Sequence, residues 1–227
     1  MALIRRRYPF TQSLTFVIIA LNVIIWVLQI LAYPVIDDLF ALSAASLSEG
    51  RIYQFLSYMF LHATYVETSA GVALYPSHIA VNMLVFAIFG FQLEQVVGRR
   101  KFLALYLVSG VGSALFYLFV MNLMMEAAGA SLIGASGAVF GVLAAYAFRF
   151  PKEWVYMLGF FPMPASLMIV FLLIEETFFG FMGLQPGVAN FGHVGGIITG
   201  LLLMAAWKIA EIRKEKDEFR HFEYVWE

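Results

Sequence analysis

A single hydroxyl, Ser136, stands between Gly134 and Gly137 near the start of the apolar run Leu132 to Phe148. Small neighbours leave its oxygen uncovered, and the first turn of a helix is the positive end of the helix dipole, a favourable place for a nucleophile. The same stretch also reads as packing, because Gly137 and Gly141 have the G-x-x-x-G spacing through which membrane helices approach closely. A nucleophilic serine needs a base, and His193 is the candidate. It lies in a second glycine-rich stretch, where Gly196 and Gly200 share its helical face. His78 and Asn82 share another face. With the backbone N–H of Ser136, they are donors of the kind that a tetrahedral intermediate requires.

The rest of the chain must bring these residues together, and its composition says in what medium. Of 227 residues, 62% are hydrophobic and 13% charged, with a mean hydropathy of +0.85. That lies outside the range of soluble domains and belongs in a lipid bilayer. The net charge of −1 conceals clustered basic residues, and nucleic acid is not an expected partner. The sequence contains no cysteine, which excludes disulfides, thiolate metal sites and a cysteine nucleophile. Neither a metal nor a cofactor is expected.

The pattern predicts an all-α polytopic membrane protein, a six-helix transmembrane bundle with an interfacial first loop and a short fourth helix starting inside the membrane. Residues 1–13, with Arg5, Arg6 and Arg7, form an N-terminal segment. Residues 14–207 form the six-span domain, with spans at about 14–33, 78–97, 102–123, 134–148, 164–181 and 191–207, and residues 208–227 form a charged tail. Roughly 15 residues are available to the fourth helix, whereas about 20 are needed to cross. The missing length must be a non-helical segment entering the membrane, tolerated only where protein or a cavity covers it. Between the first two spans, Tyr53, Phe55, Tyr58, Phe60, Tyr65 and Tyr75 favour the interface, and short helices lying on the membrane are expected there. Glu94 reads as structural, and His62 as an interfacial hydrogen-bonding residue.

Six spans put both termini on one side, and every Lys and Arg except Arg51 then falls on that side. The positive-inside rule makes it the cytoplasm. At about 1.5 Å per residue, Ser136 stands roughly 20 Å and His193 roughly 22 Å from the ends marked by Arg149 and Lys208, with Asn82 slightly farther out at about 25 Å. A serine and a histidine at one depth, on helices with small-residue faces, read as nucleophile and general base.

These residues resemble the rhomboid family of intramembrane serine proteases. Gly134-Ala135-Ser136-Gly137 is similar to its G-x-S-G, and His193 through Gly196 to Gly200 to its H-x-x-G-x-x-x-G. His78 and Asn82 match H-x-x-x-N, and Gly90, Glu94 and Gly98 match the G-x-x-x-E-x-x-x-G that follows. The resemblance covers roughly His78 to Trp207. Two departures stand out. Ala63 to Ser77 intervene between the F-L-H phrase and H-x-x-x-N, where members often have a few residues, and Phe140 replaces a tyrosine that some members stack on the catalytic ring.

The resemblance implies an endopeptidase cleaving single-pass or polytopic membrane protein substrates in or near their transmembrane segments. Its site is Ser136 and His193, with His78, Asn82 and the Ser136 N–H on the oxyanion and Gly134, Gly137, Phe140, Gly196 and Gly200 supporting. Family members work as a Ser-His dyad with the fifth helix as a mobile gate. Glu175 and Glu176 stand on that helix at roughly 17 to 18 Å, so depth alone does not exclude them. That helix shows no small-residue face like its neighbours', and a dyad is therefore expected. The compact form points to a prokaryotic plasma membrane. The rival readings are a non-catalytic membrane chaperone or dislocation factor on the same scaffold, and a proton-coupled transporter, for which the internal repeat is missing.

Overall fold

The computed structural model describes residues 9–225 apart from 70, 125–130, 158 and 186. Arg5, Arg6 and Arg7, most of the loop after the third span, Pro186 and the last two residues lie outside the described residues. Among the described residues, five helices are long and apolar enough to cross a bilayer: α1 (Leu14–Leu31), α5 (Ser77–Val97), α6 (Arg99–Leu123), α8 (Ala165–Met182) and α9 (Asn190–Val225) through Lys216. The chain is an integral membrane helical bundle. The sixth bundle helix, α7 (Ser136–Arg149), has only 14 residues, or about 21 Å. It is also the most enclosed. Ala138, Val142, Ala144 and Ala145 are fully buried between α6, α9 and α5.

Short elements fill the first loop. They are α2 (Val35–Phe40), β1 (Leu42–Ser43), α3 (Ala44–Ser48), α4 (Gln54–Ser57) and a hairpin of β2 (Tyr65–Thr68) and β3 (Gly71–Leu74). The hairpin occupies the long insertion, pairing Tyr65 with Leu74 and Thr68 with Gly71. Sequence reading anticipated the helices but not the strands. Two residues of β1 pair antiparallel with β4 (Ser131–Leu132), the segment that leads to Ser136, and Gly134 N–H donates to the Tyr58 carbonyl at 3.0 Å. The non-helical entry to α7 thus finds backbone partners in the first loop, as a lipid-embedded segment must. The 4/5 connection is a second hairpin, β5 (Trp154–Met157) with β6 (Phe161–Pro164).

Glu94 shows how α1 is seated. Its side chain is fully buried, and it accepts from Leu14 N at 2.7 Å, Thr15 N at 2.9 Å and Thr15 Oγ1 at 2.8 Å. Ser13 Oγ accepts from Phe16 N at 3.1 Å, and Val17 N donates to the Ser13 carbonyl. Every donor of the first turn therefore has an acceptor, and a carboxylate faces the positive end of the helix. Gly90, one turn earlier, provides room: a Cβ there would stand 3.0 Å from Thr15 Cγ2 and 3.3 Å from Phe102. Gly98, with φ +82°, makes the reversal from α5 directly into α6, a conformation that glycine adopts without strain.

Glu94→Ala leaves three donors without this acceptor, at about 1–3 kcal/mol each. Glu94→Ala is expected to lower the unfolding temperature in detergent well below that of Glu94→Gln, which keeps one acceptor oxygen. Scanning fluorimetry on the three proteins checks it, and identical transitions would mean that α1 is held elsewhere.

Candidate active site

Ser136 is the first residue of α7, with its oxygen at the end of the β4 approach. His193 lies in the first turn of α9. The two side chains meet across the interface, His193 Nε2 to Ser136 Oγ at 2.8 Å. Backbone contact sets that distance. A Cβ on Gly196 would run into the Gly137 carbonyl, and one on Gly200 would run into the Gly141 carbonyl and stand 2.9 Å from its Cα. The two helices therefore touch main chain to main chain, which only glycine permits. On the other side of α7, Cβ atoms on Gly137 and Gly141 would strike Ser113 and Ser109 of α6. That small-residue face of α6 is recognisable in Ser109, Gly110, Gly112 and Ser113, although its partner is not.

Phe140 lies flat on the His193 ring, with centroids 4.3 Å apart and planes at 10°. It fixes the plane of the ring. His78 is fixed from behind, because its Nδ1 accepts from the Ala63 N–H at 3.0 Å. A neutral ring whose Nδ1 accepts must carry its proton on Nε2, so Nε2 is a donor. It points toward the serine: a Cβ on Gly134 would stand 3.3 Å from His78 Nε2 and 3.6 Å from Ser136 Oγ. The space beside Gly134 (φ +126°) is flanked by both groups, and a side chain there would fill it. Asn82, nearly buried, gives one amide hydrogen to the His78 carbonyl at 2.9 Å. The second amide hydrogen is left for another acceptor.

His62, read as interfacial, is fully buried. The Gln29 amide brackets its backbone, donating to the His62 carbonyl at 3.0 Å and accepting from its N–H at 2.9 Å. Burial, and then the neighbouring His78, push the His62 imidazole down to about 3. His62 is thus a neutral prop for the ring of His78, 5.2 Å away edge to face.

One residue departs from the expectation drawn from sequence. Glu176 of α8, 7% exposed, places Oε2 2.9 Å from His193 Nδ1. The Nδ1–H direction misses that oxygen, so the contact is a close polar approach rather than a straight hydrogen bond. Asn190 Nδ2 donates to the same Oε2 at 2.7 Å and to Gln185 Oε1 at 2.8 Å. Glu175 is half-buried alongside. The fifth span does carry a small residue on this face, Gly180, one turn after Glu176. A Cβ on Gly180 would stand 3.0 to 3.2 Å from the Phe191 ring. The Glu176 to Gly180 spacing was the available signal, with Asn190 three residues before His193 as its counterpart.

The Rhomboid domain model matches residues 49–209, a span that contains Ser136, His193, His78 and Asn82. The chain belongs to the rhomboid family. Rhomboid protease AarA of Providencia stuartii is 28% identical over 216 residues, covering 86% of this chain and 72% of that protein. Rhomboid protein 1, mitochondrial, of Saccharomyces cerevisiae is 31% identical over 144 residues, covering 63% of this chain and 41% of its own. Rhomboid-type serine protease 2 of Emericella nidulans is 31% identical over 151 residues, covering 66% of this chain. This rhomboid chain spans less than half the length of the yeast relative and 26% of the Emericella one. The relatives thus include serine proteases.

Gly196→Ala is expected to slow any chemistry of Ser136 about 10²-fold, because displacement of the reacting pair by ~1 Å has that effect. The labelling rate of Ser136 by a fluorophosphonate measures it, and a wild-type rate would show that the Gly196 to Gly137 contact does not set the pair.

Proposed function

We propose that this rhomboid protein is an intramembrane serine endopeptidase, with Ser136 as nucleophile and His193 as general base. The observation that carries the reading is the 2.8 Å approach of Nε2 to Oγ across two helices in glycine-only backbone contact. His193 Nε2 takes the Ser136 proton as Oγ bonds to the substrate carbonyl carbon. The proton then passes to the leaving amine as the C–N bond breaks, giving an acyl-serine. Water attacks that ester, His193 accepts its proton and returns it to Ser136 Oγ, and the acid product leaves. His78 Nε2–H, the Asn82 amide and the Ser136 N–H are the donors to the oxyanion, which forms in the space that Gly134 leaves open.

Membrane proteins are the substrates in this reading. Peptide bonds within a helix are already hydrogen-bonded and covered, so the scissile segment is one that unwinds easily. The basic residues support an orientation with both termini cytoplasmic, in a prokaryotic plasma membrane, with Ser136 reached by water from the opposite side. A non-catalytic scaffold is disfavoured by the retained serine and histidine at bonding distance.

Ser136→Ala and His193→Ala are each expected to abolish cleavage of a transmembrane model substrate in proteoliposomes while leaving the fold intact. His78→Ala is expected to lower kcat about 10²- to 10³-fold, the usual effect of losing one oxyanion donor. Fluorophosphonate labelling of the wild type at Ser136, followed by peptide mapping, tests the nucleophile directly. Failure of the wild type both to label and to cleave would overturn the protease reading in favour of a chaperone or dislocation factor.

A further inference from the structure

We infer that Glu176 is a positioning acid of this site, a carboxylate that orients His193 and offsets the charge His193 gains when it takes the Ser136 proton. The inference rests on the protease reading above. A base that takes a proton becomes an imidazolium, and in a buried site that charge is costly without a counter-charge. Glu176 is the carboxylate on the far side of the ring, 2.9 Å from Nδ1 while Nε2 faces the serine.

Its placement is built rather than incidental. The side chain is buried, and Asn190 Nδ2 holds Oε2 at 2.7 Å from the helix that carries His193. Asn190 is itself tied to Gln185. Gly180 admits the Phe191 ring one turn farther on, and Phe181 meets the same ring edge to face at 5.1 Å, so α8 is seated on α9 at this level. Together with the flat Phe140 surface, Glu176 leaves the imidazole one orientation and favours the tautomer with its proton on Nδ1 and a free lone pair on Nε2. The off-line N–H matches resting enzymes in general, whose catalytic hydrogen bonds tighten only with substrate bound.

Other titratable groups near His193 are Glu175, beside Glu176 on α8, and His78 across the site on α5. Glu175 is more exposed and lies behind Glu176 in reach of the ring. It is therefore the natural control.

The test is cleavage of a transmembrane model substrate in proteoliposomes by wild type, Glu176→Gln, Glu176→Asp and Glu175→Gln. Glu176→Gln keeps an acceptor for Asn190 and is expected to preserve the unfolding temperature and KM. Its kcat is expected to fall by about 10² or more, toward the ~10⁴ seen when an orienting acid is neutralised. Glu176→Asp, which restores the charge, is expected to recover part of the rate, and Glu175→Gln to stay within a few-fold of wild type. A merely structural Glu176 would change stability rather than kcat alone, and Glu176→Asp would not recover the rate. Wild-type kcat in Glu176→Gln, with the wild type cleaving, would overturn this inference alone. A wild type that neither cleaves nor labels at Ser136 would instead overturn the protease reading.

Discussion

The distance from His193 to Ser136 depends on two polypeptide backbones touching. Gly196 lies against the Gly137 carbonyl and Gly200 against Gly141, with no side chain between. In lipid there is little hydrophobic force to press helices together, so close van der Waals packing of small residues has to hold them. The same contact sets the approach of His193 to Ser136, because Gly137 directly follows Ser136 and Gly196 lies one turn after His193. Packing and chemistry are therefore not separable here, and the glycine faces on α7 and α9 serve both.

Around that contact the protein resolves a difficulty of its medium. A 14-residue helix cannot span a bilayer, and the segment before it is not helical. Its polar backbone is satisfied by the first loop, through Ser43 opposite Ser131, Leu42 opposite Leu132 and the Tyr58 carbonyl under Gly134. The Tyr58 hydroxyl in turn donates to Gly110 O of α6 at 2.7 Å. The first loop is thus part of the wall of the site rather than a surface appendage.

How much of this could be read from sequence follows from the range of each signal. That Ser136 and His193 meet was legible because glycine spacing marks a helix face and helix length gives a depth. The role of Glu94 as structural was legible, but its partner was not, since the N-terminus of α1 lies about 80 residues earlier and offers ordinary backbone donors. The hairpins at 65–74 and 154–164 were missed because strands of four residues carry almost no periodicity. Glu176 was set aside because α8 lacks a glycine ladder. A single Gly180 suffices there, because what enters is the edge of the Phe191 ring and not another backbone.

The bond from the Ala63 amide to His78 Nδ1 joins the loop to the polarity of the ring beside Ser136. A neutral imidazole is polar in one of two senses, and this amide selects the sense that turns its hydrogen toward the serine. Were Ala63 to swing away, the ring could adopt the other tautomer and present a lone pair to a developing negative charge. An attraction would become a repulsion through the move of one proton, with no heavy atom of the ring displaced. The hairpin that begins two residues later is therefore a lever on the polarity of the His78 ring, and in the proposed protease its length is a variable that acts on the serine's surroundings without altering Ser136 or His193.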